Sequence, residues 1–316
     1  MREPSPPDFD AVLDAAARIA AHARVTPVAR SARLDALAGA ELLFKCEHQQ
    51  RGGAFKFRGA CNAVQSLDAP AAARGVATHS SGNHGAALAL AAKLRGIACH
   101  VVVPEGANPA KLEAIRRHGA TLHRCAPGIA ARETACADVQ RDTGATLVHP
   151  YADARVIAGQ GTAALELFAE CGELDLLVGP VGGGGLASGS ALSLAARSPR
   201  CELLLAEPAD ADDTLRSLRD GERNANARVP TTVCDGLRGD LGAILRFAAG
   251  KKNPDFLAEA EALDNLLSPG SLVAGGRNSR SLRNEGKNAK TSATVSAEVS
   301  QLSLVAGAGF EPATFG

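Results

Sequence analysis

The chain has 316 residues and a mass of 32.2 kDa, with 46% apolar and 22% charged residues. That is enough to bury a large core, and it excludes disorder along the whole chain. Lys plus Arg total 34 and Asp plus Glu total 34, and a net charge of zero supplies no field that would attract nucleic acid or an anionic membrane. Aromatic residues make up only 3%, with no Trp, which assigns the core to Ala, Leu and Val and argues against base-stacking platforms.

Met1–Arg18 carries acids and prolines and no apolar run, so it does not read as a secretory signal. A short strand is predicted at Gly75–Thr78, then a helix at Asn83–Arg95 with Leu90 and Leu94 on one face. Ala98–Val103 reads as a buried strand broken by Pro104, and Asn108–His118 as a helix with Asn108 as N-cap and Pro109 at its first position. Strands at Thr121–Arg124, Thr146–His149, Leu174–Pro180 and Glu202–Ala206 alternate with helices at Ile129–Arg141, Ala158–Cys171 and Leu186–Arg197. This alternation predicts an α/β fold of open parallel sheets covered on both faces. It predicts two lobes: a smaller one at 76–151, and a larger one joining 1–75 to 152–250, with no fixed-period repeat.

Leu176–Ala196 has no charge for 21 residues, but Pro180 and the glycines at 179 and 182–185 break it into strand, turn and helix rather than a membrane span. The eight Cys are never closer than eleven residues, so no CxxC zinc or redox motif exists, and free thiols in a reducing cytoplasm are expected. From about Lys251 the alternation stops, and 251–316 reads as an atypical, polar tail without apolar period.

Four motifs carry chemistry. In Gly52–Ala60 (GGAFKFRGA) a lysine stands between two phenylalanines. A lone lysine is ordinarily a solvated surface charge, but desolvation lowers an amine's pKa, and a neutral amine attacks an aldehyde. Thr78–Gly85 (THSSGNHG) crowds polar side chains into a strand-to-helix turn, at the sheet edge where α/β proteins bind ligands. An N-cap at Ser81 or Asn83 would explain one of them, not all. Val178–Gly189 (VGPVGGGGLASG) exposes consecutive backbone N–H groups ahead of a helix N-terminus, a phosphate cradle with no Walker lysine. Gly182, Gly184 and Ala187 also fit GxGxxA, with Glu207 25 residues after Gly182, so a nicotinamide-dehydrogenase reading stays open here. Ala206–Asp213 (AEPADADD) reads either as a hard-cation site or, ahead of that, as a solvated acidic helix start.

Taken together, FKFRGA, SSGNHG, the HP pair at 149–150, IAGQGT at 157–162, PVGGGG and AEPADADD resemble the fold-type II pyridoxal-phosphate enzymes. They are most similar to the serine/threonine dehydratase and serine racemase branch, over about Val12 to Gly242. The resemblance implies a tryptophan synthase β-like fold with the cofactor between two lobes. It implies that Lys56 bonds the cofactor and acts on the substrate Cα proton, and that Ser81 is the acid/base on the opposite face. Phe55 would pack near the cofactor, Asn83 would hydrogen-bond its ring hydroxyl, and Gly182, Gly183, Gly184 and Gly185 would hold its phosphate. Ser80, Ser81, Gly82 and His84 would line the substrate carboxylate site. Glu207, the carbonyl of Ala211 and Asp213 would hold Mg2+ or another divalent cation.

The implied reaction is elimination of water and ammonia from L-serine or L-threonine, with serine racemase and 3-hydroxyaspartate dehydratase as alternatives, in a cytoplasmic homodimer. The family's C-terminal SGGN-like segment is missing; AGGRN at 274–278 echoes it without the serine. A disrupted reading frame or replaced C-terminus is therefore expected, and an inactive remnant is the alternative of another class.

Overall fold

A computed structural model describes residues 6–242; the tail at 251–316 lies outside the described residues. Helix α1 (Phe9–Ile19) starts where the Asp8 carboxylate accepts the Ala11 N–H at 2.9 Å. Then come β1 (Val28–Ala29), α2 (Ala32–Ala38), β2 (Phe44–Lys45), two 3-10 turns at Glu47–Gln49 and Arg51–Gly53, α3 (Lys56–Gln65) and α4 (Ala69–Arg74). The alternating part follows as β3 (Val76–Thr78), α5 (Asn83–Arg95), β4 (Cys99–Pro104), α6 (Pro109–Arg116), β5 (Thr121–Cys125), α7 (Ile129–Thr143), β6 (Thr146–Leu147) and α8 (Ala154–Cys171). It ends with β7 (Leu176–Pro180), α9 (Gly185–Arg197), β8 (Glu202–Ala206), α10 (Asp213–Asp220) and a last 3-10 turn at Asp235–Leu237.

The strands form a four-stranded parallel sheet in the order β5-β4-β3-β6, a parallel pair β7-β8 and an antiparallel pair β1-β2. Val101, Val102 and Val103 of β4 are all fully buried, as a parallel strand covered on both faces requires. The expected α/β architecture is therefore present. The charge-free stretch folds as β7, turn and α9, and no helix among the described residues is long and apolar enough to cross a membrane. All eight cysteines are unpaired.

Boundaries moved where caps intervene. Helix α8 begins four residues before the expected Ala158, because the Asp153 carboxylate accepts the Arg155 N–H at 2.9 Å. Strand β6 is shorter than the expected Thr146–His149, since the chain turns at Pro150. Five helices, α1–α4 and α10, are not among the elements expected above, and one of them begins at Lys56.

Helices α3, α8 and α9 cross at glycines. A Cβ on Gly159 would stand 2.6 Å from Gly59 Cα, and one on Gly161 would stand 2.7 Å from the Gly189 carbonyl oxygen. These contacts are backbone against backbone, so nothing flexible can yield. Gly159→Ala is expected to cost about 1–3 kcal/mol as an overpacked core, read as a lower urea midpoint; an unchanged midpoint would remove the glycine crossing as a determinant of the fold.

One charged cluster sits inside this framework. Arg58, fully buried on α3, donates to Glu47 at 2.8 Å and to both carboxylate oxygens of Glu166 at 2.6 and 2.8 Å, and Lys45 pairs with Glu166 at 2.8 Å. Burial pushes the Glu166 carboxyl up, but hydrogen bonds and charge from Arg58, then Lys45, outweigh it and hold it below the usual carboxylate range. The cluster fastens the segment before α3 to α8.

Candidate active site

Lys56 opens α3 immediately after a turn that needs positive φ at Gly52 (75°) and Gly53 (76°), angles that favour glycine. Its Nζ donates to the Pro150 carbonyl at 3.1 Å and lies 5.2 Å from the Phe55 ring centroid. Phe57, on the other side in sequence, is core. No carboxylate pairs with this ammonium among the described residues. Desolvation therefore acts unopposed and lowers its pKa from 10.5 to about 8.

The polar loop at 78–85 leaves the carboxyl end of β3 and heads α5. The N-cap is Gly82, with no side-chain cap, so neither Ser81 nor Asn83 is consumed by capping. Ser80, Ser81 and Gly82 are half-buried and Asn83 is exposed. A Cβ on Gly85 would collide with the Ser80 carbonyl, which is why the loop can fold back over the helix start. His84 is only 2% exposed. Its Nε2 lies 3.2 Å from the Val148 carbonyl, which can only accept, so Nε2 carries the proton and Nδ1 is a bare, buried acceptor with no partner.

The third motif connects β7 to α9. Gly182 to Gly185 lead into the α9 N-terminus, with Gly184 at φ 86°, and the first N–H groups of a helix have no acceptor within it. The loop is roofed from two sides. A Cβ on Gly183 would enter the Tyr151 ring, one on Gly185 would stand 3.1 Å from Tyr151 Cα, and the Gly242 N–H donates to the Gly183 carbonyl at 3.2 Å.

What joins the three motifs is a strap, residues 148–151, for which composition and spacing gave no role beyond the HP pair in the resemblance. Val148 N–H donates to the Ala77 carbonyl at 2.8 Å and its carbonyl takes His84; Pro150 takes Lys56; Tyr151 covers the glycines. His149 Nδ1 accepts the Ala152 N–H at 3.0 Å, and its ring stands edge-on to His79 at 5.0 Å and to Tyr151 at 4.6 Å. Burial lowers His84 to about 3 and His149 to about 4, and lowers His79 below its ordinary value, so all three imidazoles are neutral near pH 7.

The acidic motif surrounds the start of α10. Glu207 accepts the Leu215 N–H at 2.8 Å and the Thr214 N–H at 3.3 Å. Asp213 accepts the Leu241 N–H at 2.6 Å and the Asn226 amide at 2.9 Å, and Ala211 is buried between them in sequence. All four carboxylate oxygens take N–H donors, and no group of three or more metal-ligating His, Cys, Asp or Glu side chains gathers among the described residues. The arrangement is organised as a helix cap and a loop latch, so no step is assigned to a cation. The same hydrogen bonds occupy the acid that a dinucleotide fingerprint would turn to a ribose.

Desolvation raises Glu207 from 4.5 to about 7. The folded chain then binds more protons than the unfolded one between those values, so stability falls as pH rises through them. The Tm of the wild type is expected to drop from pH 5 to pH 8 by more than that of Glu207→Gln. Parallel curves would show that Glu207 ionises as if exposed.

Residues 19–262 match the family described as "Pyridoxal-phosphate dependent enzyme". The chain is 50% identical over 231 residues, 73% of each protein, to a beta-hydroxyaspartate dehydratase of Paracoccus denitrificans (strain Pd 1222). Its fold matches the structure of maize serine racemase with a TM-score of 0.75 at 43% identity, covering 77% of this chain and 74% of the other. It matches serine racemase from Dictyostelium discoideum with a TM-score of 0.73 at 42% identity, covering 78% of both chains. A solved threonine deaminase matches with a TM-score of 0.74 at 38% identity, covering 78% of this chain and 80% of the other.

Proposed function

Because the chain belongs to the pyridoxal-phosphate dependent enzymes, we propose that it removes water and then ammonia from a small β-hydroxy amino acid, L-serine or L-threonine, to give a 2-oxo acid. The observation that carries this is Lys56, a desolvated amine beside a polar loop and a glycine cradle. The residues fit the cofactor: an amine held partly neutral suits its aldehyde, and a helix-heading glycine loop suits its phosphate. Lys56 would bond it, Phe55 would flank it, Asn83 would meet its ring hydroxyl, and Gly182, Gly183, Gly184 and Gly185 would hold its phosphate, between the two lobes proposed at 76–151 and around it.

When bound, pyridoxal phosphate supplies a sink for the electrons left at Cα. The chain's own residues do the rest. The Lys56 amine, released when the substrate's amino group takes its place on the cofactor, would take the Cα proton; the Cβ–O bond would then break and the hydroxyl leave as water once protonated. Ser80, Gly82 and the backbone of His84 orient the carboxylate. Hydrolysis of the released enamine yields the oxo acid and ammonia in equal amounts.

Ser81 supports a second reading, racemisation: no helix cap uses its hydroxyl, and the family resemblance gives it the role of acid/base on the face opposite Lys56. Similarity to the Paracoccus protein adds 3-hydroxyaspartate as a substrate to test. The deciding assay incubates the protein and pyridoxal phosphate with each amino acid, measuring oxo acid, ammonia and the D-enantiomer. Oxo acid matched by ammonia is expected. D-serine in excess would make racemisation the principal activity, and neither product would make the chain a remnant. Ser81→Ala is expected to lower D-serine formation by roughly 10²-fold or more while elimination falls far less; equal losses would remove the opposite-face role.

A further inference from the structure

The structure assigns the side chain of His84 a positioning role: it holds the strap at 148–151 so that the Pro150 carbonyl faces the Lys56 amine. The inference rests on the reading of Lys56 as the reacting amine. Three observations carry it. His84 is buried to 2% exposure, so its ring is turned into the protein rather than toward the cleft. Its one hydrogen bond goes to the Val148 carbonyl at 3.2 Å, two residues before the carbonyl that takes Lys56 at 3.1 Å. The strap is pinned again beyond Pro150, where His149 Nδ1 accepts the Ala152 N–H at 3.0 Å.

Pro150 itself has no N–H with which to be held, so its carbonyl is fixed only by what grips the residues on either side. Without His84 the Val148 carbonyl is buried and unpaired, a state that costs free energy until the strap shifts or water enters. Either change wets Lys56. His84 thus acts on the amine through the strap, keeping it dry and aimed, while the substrate carboxylate would be met by backbone N–H groups of the same loop.

The test follows the rate at which added pyridoxal phosphate becomes attached to Lys56. The bond is trapped with borohydride and located by peptide mapping, from pH 6 to 10. Only the neutral amine reacts, so the midpoint of the rate profile is the pKa of Lys56, about 8 in the wild type. The neighbouring groups do not obscure it. Burial lowers His79 of the loop after β3, His84 of α5 and His149 of the strap below the ordinary imidazole value, and it raises Tyr151.

His84→Leu is expected to move the midpoint up by roughly one unit or more, toward the solvated lysine value. His84→Gln, whose amide can still donate to Val148, should restore the wild-type midpoint. His149→Ala removes the second pin without touching α5 and should also shift it upward. If His84→Leu does not fold, His149→Ala decides the matter. A wild-type midpoint in whichever of these folds overturns the inference, as does a His84→Gln profile shifted as far as that of leucine. Label on some residue other than Lys56 in the wild type would instead overturn the reading of the amine itself.

Discussion

Lys56→Ala is expected to fold, to show no borohydride-reducible bond to pyridoxal phosphate at α3, and to lose turnover of every β-hydroxy amino acid. Two contributions vanish together: the covalent anchor and the base at Cα. Proton transfer by a positioned group alone contributes roughly 10²–10⁴-fold, so the loss should reach at least that. The fold should survive, because the side chain makes a single hydrogen bond, to Pro150, and sits desolvated at its own cost. Stability against pH supplies an independent check in the absence of cofactor. Folding lowers this pKa from 10.5 to about 8, so between those values the unfolded chain binds more protons and the wild type gains stability as pH rises. The alanine variant lacks that gain. Residual turnover within tenfold of wild type would sink the assignment of Lys56, and an unchanged stability profile would show that the amine is solvated.

Much of this candidate site is legible in the sequence. The helix start at Asn108 followed from an N-cap and a proline, both local signals, and the structure keeps them. Glycines at 182–185 pointed to a backbone cradle because only backbone remains there to bind with. The strap was not legible, since its work is done by main-chain carbonyls of Val148 and Pro150, which no side-chain pattern encodes. Nor was the neutrality of His79, His84 and His149, which comes from burial contributed by distant segments. The helix from Lys56 was missed for a related reason: a decapeptide with glycine and asparagine inside it has weak intrinsic helicity. It forms because α5 and α8 pack on it and because Arg58 is pinned from elsewhere. Around Glu207 the hydrogen bonding was not legible either: Glu207 and Asp213 accept backbone N–H groups of Thr214, Leu215 and Leu241, which an acidic run does not name.

Arg58→Met should be among the most destabilising substitutions in the chain. Arg58 is fully buried, and its guanidinium spans Glu47 and Glu166 while also reaching the hydroxyls of Thr162 and Thr26 at 3.2 and 3.4 Å. Removing one partner of a buried ion pair typically costs about 3–5 kcal/mol, because the other charges stay buried without it. In a protein of this size that corresponds to a fall in Tm of roughly 10 °C.

The pH dependence distinguishes this from mere loss of packing. In the wild type Glu166 is held below its ordinary pKa, so it contributes stability that is lost as pH falls through its folded value. In the variant only Lys45 remains to oppose desolvation, the carboxyl moves up, and protonation relieves the strain. The gap between the two proteins should therefore narrow on acidification. Arg58→Met combined with Glu166→Gln should recover part of the loss, since the second change removes the charge that the first one strands. A deficit constant across pH, with no recovery in the double variant, would mean that volume rather than charge sets the cost at Arg58.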